Sequence, residues 1–157
     1  MASGGRNSPL PRYLMTDVFS PEKRSAVMAA IRSKDTKPEM AIRSALHRLG
    51  YRFRLHVGSL PGRPDIVLPR HLIAIQVRGC FWHGHSCPDG RLPKSRPEYW
   101  LPKLAGNKTR DRRNDRKLRA TGWSIVVVWE CQTTTSRKLT STIARLERQI
   151  NRLSEKR

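Results

Sequence analysis

Two apolar segments rich in β-branched residues limit the folds that this chain can adopt. Leu72–Val77 and Trp123–Trp129 each have the length of one strand and carry no charged residue, which is typical of strands buried on both faces of a sheet. Such strands need helices packed against them on either side. The sequence therefore predicts an α/β fold in which a central mixed sheet is flanked by helices.

The remaining segments follow either helical or strand periodicity. The predicted order is helix, helix, three strands, helix, strand, helix. These segments are a helix from Ser20-Pro21 to about Ile31, a helix from about Pro38 to Gly50, strands at Tyr51–Val57 and Asp65–Leu68, a helical region from Glu98 through a basic stretch to Gly122, and a helix over about Ser136–Leu153. Residues 1–14 contain several Gly, Ser and Pro, which predicts a disordered extension before one domain over residues 15–157.

The charge balance is the strongest signal in the composition. The chain has 32 Lys and Arg against 12 Asp and Glu, a formal net charge of +20 at pH 7. Such a chain repels itself unless it meets a polyanion, and nucleic acid is the predicted partner. A membrane surface is disfavoured because we find no basic amphipathic helix with a large aromatic face. A ribosome-associated protein remains the alternative.

The sequence predicts a monomeric protein of the cytoplasm. No apolar run approaches the roughly 18–20 residues of a membrane span. The N-terminus M-A-S-G-G-R has no apolar signal-peptide core. Three cysteines, an odd number, without a secretory signal argue against a disulfide framework and favour reduced thiols.

A metal site is indicated by the segment Arg78–Cys87, R-G-C-F-W-H-G-H-S-C. Its two cysteines and one of its histidines, together with Cys131 beyond the second apolar strand, make a Cys₃His set of the kind that structural zinc prefers. His83 and His85 compete for the fourth position, and their spacing does not choose between them. The alternative is that Cys80 and Cys131 are small buried apolar residues at strand ends.

A second pattern indicates catalysis. Pro64-Asp65 opens one predicted strand and Ile75-Gln76-Val77-Arg78 ends the next. This resembles the PD-(D/E)xK nuclease arrangement, in which acidic residues on neighbouring strands bind Mg²⁺ beside the scissile phosphate. The chemistry needs carboxylates because Mg²⁺ takes hard oxygen ligands, and the metal then activates water and stabilises the departing oxygen.

An ordered series of motifs makes the resemblance specific. The series consists of S-L-P-G-R-P-D (59–65), R-G-C-F-W-H-G-H-S-C (78–87), E-Y-W-L-P-K (98–103), N-K-T-R-D-R-R (107–113) and G-W-S-I-V-V-V-W-E-C (122–131). It resembles the very-short-patch repair (Vsr) endonuclease family, whose fold is restriction-endonuclease-like, from about Met15 to the last helix. The resemblance implies a DNA repair enzyme of the nucleoid that recognises the T:G mismatch left by 5-methylcytosine deamination. It also implies a Mg²⁺-dependent nick 5′ to the thymine and assistance from a MutL-type mismatch repair protein.

The resemblance also implies roles for individual residues. Those that act on the phosphate or the attacking water are Asp65 and the main-chain carbonyl of Val77 as Mg²⁺ ligands, the pair His83 and Asp111, and the nearby acid Glu39. The implied structural zinc ligands are Cys80, His85, Cys87 and Cys131, which assigns His85 rather than His83 to zinc. The aromatics implied to wedge into the DNA stack are Phe81, Trp82 and Trp100.

Several of these residues also have a purely structural interpretation. Glu39 stands in the first turn of a predicted helix, where the helix dipole favours an acid, and Asp111 is surrounded by arginines that could hold it as a surface ion pair. Phe81 and Trp82 could cover the zinc site, and Trp100 could join the core. The basic run is predicted to contact DNA phosphates through Lys103, Lys108, Arg110, Arg112 and Arg113. The alternative is that most residues of this run simply face solvent.

Position 78 departs from the family pattern. Arg78 stands where the family often carries a histidine, and where the wider nuclease class places its lysine. An arginine is no base at neutral pH but holds a phosphate bidentately, which predicts that Arg78 stabilises transition-state charge. Two other functions stay open. One is a related nuclease acting on another DNA lesion or junction, and the other is a zinc-stabilised mismatch-DNA-binding protein that has lost catalysis.

Overall fold

The computed structural model describes residues 20–30 and 34–156, with the side chains of residues 24 and 28–30 left out. The predicted disordered extension over residues 1–14 lies outside the described residues, as does the predicted end of the first helix at Ile31. Nothing in the structure bears on these two predictions.

The order of helices and strands agrees with the order predicted from the sequence. Within the described residues the four helices are α1 (Pro21–Ala30), α2 (Lys37–Arg48), α3 (Pro97–Ala120) and α4 (Ser136–Glu155). The four strands in the same part of the chain are β1 (Arg54–Leu55), β2 (Ile66–Leu68), β3 (Ile73–Arg78) and β4 (Ser124–Trp129). Short 3₁₀ turns follow β2, precede α3 and follow β4, at Pro69–His71, Pro88–Gly90 and Glu130–Gln132.

The four strands form one mixed sheet in the order β1-β2-β3-β4. β1 with β2 and β2 with β3 are antiparallel, whereas β3 and β4 are parallel and joined by the long crossover that contains α3. Because β3 and β4 run in the same direction with Arg78 opposite Trp129, the residues that follow each strand emerge at the same edge of the sheet. This edge carries the segment that follows β3 and the turn that follows β4.

Helices cover both faces of the sheet, as predicted. Ile73 and Ile75 of β3 belong to the main buried cluster, together with residues of α2 and α4 such as Ile42 and Leu146. The alternate residues of β3 point the other way, because successive strand side chains face opposite sides. Of these, Gln76 hydrogen-bonds to α3. The sheet therefore separates an apolar core under α2 and α4 from a more polar layer under α3.

The predicted strand over Tyr51–Val57 was too long, since the structure pairs only Arg54–Leu55 in β1. The backbone of His56 has φ +46°, in the left-handed region, so the chain leaves the extended conformation directly after Leu55. Tyr51 and Phe53 nevertheless pack against the main buried cluster. The alternation was a real signal of burial, but the strand is ended by the turn at His56.

None of the helices in the described part of the chain is both long enough and apolar enough to cross a membrane.

Candidate active site and metal-binding cluster

The inward-facing side of α3 changes from apolar to acidic and back. Leu104 and Leu118 are buried at its two ends, with 3% and 0% of their surface exposed. Asp111 and Asp115 lie between them at spacings of seven, four and three residues, which keeps all four on one helical face. Two carboxylates are thus directed toward the sheet, where a core helix would carry apolar residues. Each of them has a charged or titratable partner from the β3 side.

His83 and Asp111 form a close pair between the loop after β3 and α3. Nδ1 of His83 lies 2.6 Å from Oδ2 of Asp111, and the two side chains are 28% and 20% exposed. A carboxylate only accepts hydrogen bonds, so His83 donates from Nδ1 and leaves Nε2 as the acceptor atom of its neutral ring. Asn107 supports the same loop by donating from Nδ2 to the main-chain oxygen of Trp82 at 3.0 Å.

Asp65 lies immediately before β2 and is tied to β3. Its Oδ2 accepts a hydrogen bond of 2.7 Å from the main-chain amide of Val77. The amide and carbonyl of one strand residue point toward the same neighbouring strand, so the Val77 carbonyl faces the side of β3 on which Asp65 lies. Burial raises the pKa of Asp65, with a smaller rise from nearby Glu39, against the lowering effect of the Val77 amide.

Glu39 is connected to Asp65 through two other side chains. Its buried carboxylate accepts from the Thr36 hydroxyl and from Nη2 of Arg43, the latter at 2.8 Å, while the Thr36 side chain caps α2 by accepting from the Glu39 amide. The same Nη2 lies 2.8 Å from Nε2 of His56. A guanidinium only donates, so His56 accepts at Nε2 and a neutral ring carries its proton on Nδ1, which lies 3.9 Å from Oδ1 of Asp65.

Arg78 is engaged within the protein on the α3 side of β3. Its Nη2 lies 2.9 and 3.0 Å from the two carboxylate oxygens of Asp115, and its Nε donates to Oε1 of Gln76 at 2.9 Å. Nε2 of Gln76 completes the triangle by donating to Asp115 at 3.2 Å. The Arg78 and Asp115 side chains are only 12% and 13% exposed. Arg78 therefore forms an almost buried ion pair with α3.

The three cysteines and His85 form a compact cluster at the sheet edge where β3 and β4 end. Their sulfur and imidazole nitrogen atoms all lie within 4.8 Å of one another. The parallel register of β3 and β4 explains why Cys80 and Cys131, one after each strand, are neighbours. Of the two histidines that the sequence left in competition, His85 joins the cysteines, whereas His83 pairs with Asp111.

The local electrostatics of the cluster favour neutral thiols in the absence of a cation. Burial raises the pKa of Cys80 well above the usual thiol range, and burial also raises the pKa of Cys131. Nδ1 of His85 lies 3.6 Å from the Cys131 sulfur, and its ring stacks on Trp129 at 4.2 Å between centroids. Trp129 thus covers this side of the cluster.

The aromatic residues predicted to enter DNA form a cluster of their own. The Phe81 ring lies 5.0 Å from that of Trp82 and 5.1 Å from that of Trp100. All three are partly exposed, so the structure assigns none of them to the buried core. Tyr99 extends the group, with its centroid 5.0 Å from that of Trp100.

The predicted phosphate-contacting residues are all exposed on α3. They are Lys103, Lys108, Arg110, Arg112 and Arg113. Lys103 approaches the aromatic cluster, with Nζ 6.0 Å from the centre of the Trp82 ring. Lys108 lies directly over Gly84, where a Cβ atom would come within 2.2 Å of its side chain.

Three residues that the sequence analysis did not single out have charged or hydrogen-bonded places in this region: Arg43, His56 and Asp115. Asp115 had a readable signal, since it lies four residues after Asp111 and three before an apolar residue on the same helical face. Arg43 and His56 had none, because their contact joins residues of α2 and the turn after β1.

Comparisons with known proteins identify the family of the chain. Residues 16–89 match the model of the family described as DNA mismatch endonuclease Vsr. The type II nicking enzyme V.XorIIP of Xanthomonas oryzae is 55% identical over 118 residues, covering 75% of this chain and 87% of that protein. The type II nicking enzyme V.NmeAIP of Neisseria meningitidis is 42% identical over 136 residues, covering 87% and 97%. The DNA mismatch endonuclease Vsr of Escherichia coli is 42% identical over 126 residues, covering 80% and 81%.

These relatives, and the α/β fold with acidic and histidine side chains grouped beside the sheet, define a DNA endonuclease. Within that class, the chain belongs to the Vsr DNA mismatch endonuclease family, because its identity to several members extends over most of their length. The sequence-based identification of the family is therefore confirmed, as is the prediction of an endonuclease.

Proposed function

We propose that this endonuclease nicks one DNA strand 5′ to the thymine of a T:G mismatch by Mg²⁺-dependent hydrolysis, in repair of deaminated 5-methylcytosine. The observation that carries the proposal is the 2.6 Å contact between His83 and Asp111. It leaves Nε2 of His83 as the atom that takes a proton from the attacking water, while Asp111 holds the ring and stabilises the imidazolium that forms. The mechanism thus assigns His83 as the base and Asp111 as its orienting partner.

The proposed Mg²⁺ ligands are Asp65 and the main-chain carbonyl of Val77. Carboxylate and carbonyl oxygens are the ligands that Mg²⁺ prefers. The hydrogen bond from the Val77 amide keeps the Asp65 carboxylate next to this carbonyl. A cation would also offset the burial that raises the pKa of Asp65. When bound, the metal supplies charge stabilisation at the phosphate. Glu39 acts on the site indirectly, since its contacts reach Asp65 through Arg43 and His56.

We propose structural Zn²⁺ in the cluster of Cys80, His85, Cys87 and Cys131. Tetrahedral coordination with usual zinc bond lengths predicts a sulfur-to-nitrogen edge of about 3.6 Å, and the His85–Cys131 distance is 3.6 Å. Zinc would deprotonate the thiols despite the raised pKa values of Cys80 and Cys131. The ion would hold together a loop that has few apolar residues of its own.

The proposed DNA contacts combine a wedge with a basic surface. Phe81, Trp82 and Trp100 would enter the stack at the mismatch, where unstacking costs less because the bases are already weakly paired. The five basic residues defined above would contact phosphates. We further propose that the enzyme works as a monomer on chromosomal DNA at the nucleoid in the cytoplasm, and that a MutL-type protein assists it.

A nicking assay on strand-labelled duplexes tests this function. Duplexes with T:G or T:A, with randomised flanking bases, are incubated with Mg²⁺ or EDTA. We expect a cut 5′ to the thymine only in the T:G duplex with Mg²⁺, and the cut pool reports any preferred flanking bases. His83→Ala should abolish the cut, whereas His47→Ala, on the exposed side of α2, should not.

Other outcomes of the assay point to the alternatives. Cutting of the T:A duplex as well would favour a nuclease of broader substrate range. Tight binding of the T:G duplex with no cut would favour a mismatch-binding protein without catalysis, and would exclude the proposed roles of His83 and Asp111.

A further inference from the structure

The hydrogen-bonded triangle of Gln76, Arg78 and Asp115 has no part in the mechanism proposed above. We propose that Asp115 is a positioning residue for strand nicking. In this proposal its ion pair with Arg78 holds α3 against β3, so that His83 and Asp111 keep their place beside the metal-binding Asp65. The inference rests on the proposed function and assigns Arg78 a role through Asp115 rather than on the phosphate.

The triangle fixes all three side chains at once. The Gln76 side-chain amide accepts a hydrogen bond from Arg78 through its oxygen and donates one to Asp115 from its nitrogen. Because Arg78 can only donate and the Asp115 carboxylate can only accept, the amide has one orientation that satisfies both. The Arg78 and Asp115 side chains are only 12% and 13% exposed. Both charges have therefore lost most of their hydration, and their ion pair is the main interaction that replaces it. Removing either one leaves a largely buried charge unpaired, which is far less favourable than removing both.

The triangle also joins the two halves of the proposed active site. On β3, Arg78 directly follows Val77, whose carbonyl is the proposed second Mg²⁺ ligand. The antiparallel register of β2 and β3 pairs Ile66 with Ile75. Extending this register by one residue places Asp65 opposite Gln76. Asp115 lies one helical turn after Asp111 on α3. A shift of α3 along or away from β3 would therefore move the His83–Asp111 pair relative to Asp65.

The orientation of Arg78 argues against direct phosphate contact as its main role. Nε and Nη2, which form one side of the guanidinium fork, are directed at Gln76 and Asp115. A bidentate grip on a phosphate through this side would require the ion pair to break and would leave Asp115 unpaired under α3.

The first test compares Asp115→Asn with Glu98→Gln, a matched loss of an acid at an exposed site on the same helix. Single-turnover nicking of the T:G duplex is measured at saturating enzyme, and the duplex Kd is measured in EDTA. Misplacing reacting groups by about 1 Å costs on the order of 100-fold in rate. We expect this loss for Asp115→Asn with an unchanged Kd, and no loss for Glu98→Gln. A wild-type rate for Asp115→Asn would overturn the proposal.

The second test replaces both charges by apolar residues of similar size. If the pair serves to hold α3, Arg78→Met with Asp115→Leu should recover nicking to within about tenfold of wild type, because the unpaired charge is gone. The single variant Arg78→Met should remain slow. If Arg78 instead binds the phosphate, the double variant will stay as slow as Arg78→Met although its Tm equals that of wild type, and the proposal fails.

A third readout separates this inference from the proposed function. Amide hydrogen exchange across α3 is measured without DNA or metal for wild type, Asp115→Asn and Glu98→Gln. We expect faster exchange only in Asp115→Asn, and unchanged exchange would overturn the positioning role. A wild-type enzyme that nicks no duplex would reject the proposed function alone, since the exchange experiment does not depend on nicking.

Discussion

The main-chain amide of Val77 donates to the Asp65 carboxylate at 2.7 Å, which ties a largely buried acid to the strand carrying the proposed second Mg²⁺ ligand. Burial raises the pKa of this acid, and repulsion from Glu39 adds to the rise. Holding a charge on Asp65 therefore lowers the stability of the metal-free protein. Sites that bind a substrate or metal often carry such a cost.

Asp65→Asn should separate stability from activity. The amide oxygen still accepts from Val77, but the buried charge is gone, so we expect the metal-free protein to gain free energy of unfolding at pH 7. Mg²⁺-dependent nicking should fall to background. Urea unfolding in EDTA and the T:G nicking assay measure the two effects, and a large loss of stability would contradict the account of Asp65.

The stability difference between wild type and Asp65→Asn should depend on pH in a defined direction. Because the pKa of Asp65 is raised above 3.8 in the folded protein, the folded state binds more protons than the unfolded state between the two pKa values. Wild type thus loses stability relative to the variant as pH rises through this window. Well below pH 3.8, and again above the window, the stability difference between the two proteins should be constant in urea titrations.

The cysteine cluster should contain one zinc ion that depends on His85 and not on His83. Metal analysis of His85→Ala and Cys131→Ala should show loss of zinc, with a Tm lower by roughly 10 °C or more. His83→Ala is the matched control, since it removes an imidazole two residues away that pairs with Asp111, and it should keep its zinc while losing activity. Zinc loss in His83→Ala with retention in His85→Ala would contradict the assignment.

Arg43 should be a major determinant of stability. Its side chain is 9% exposed and its Nη2 binds Glu39, which is almost fully buried, at 2.8 Å. Arg43→Met leaves the Glu39 charge unpaired, so we expect a loss of about 3–5 kcal/mol in free energy of unfolding. Arg48→Met, at an exposed position near the end of the same helix, should change it by less than about 0.5 kcal/mol. Equal effects in urea unfolding would show that Glu39 does not need Arg43.

Trp82 should contribute to mismatch recognition and not to the stability of the fold. Its ring is partly exposed beside Phe81, so Trp82→Ala should leave Tm nearly unchanged. Stacking on a base contributes roughly 1–3 kcal/mol, so binding of the T:G duplex should weaken by that amount. The matched T:A duplex is the internal control. Equal weakening on both duplexes would argue for a general DNA contact and against a wedge at the mismatch.

Much of the architecture could be read from local patterns. The apolar runs that became β3 and β4 and the stripe of α4 were predicted close to their observed limits, because burial imposes a period on the sequence within each element. The exception was β1, where one residue with a left-handed backbone, His56, ended the pairing early. The backbone conformation of a single non-glycine residue leaves no periodic trace.

The candidate site was predictable where chemistry restricts the choice of residue. Three cysteines and a histidine indicated a zinc-type cluster, and the motif series indicated the family and its acids. The spacing of the residues did not show whether His83 or His85 is the fourth zinc ligand, and only the family resemblance indicated His85. The environment of Arg78 was not predicted, because its partner Asp115 is 37 residues away in the chain.

By itself, the sequence determined the order of helices and strands, the positive net charge that suits a nucleic-acid partner, and the set of possible metal ligands. These features follow from local periodicity and from the chemistry of single side chains. Only the tertiary structure decided which of these side chains meet. The parallel register of β3 and β4 brings Cys80 beside Cys131, and the packing of α3 presents Asp111 to His83 and Asp115 to Arg78. Such contacts depend on how separate elements pack, and an ion pair or hydrogen bond that forms at 3 Å is lost when that packing shifts by a fraction of a helical turn.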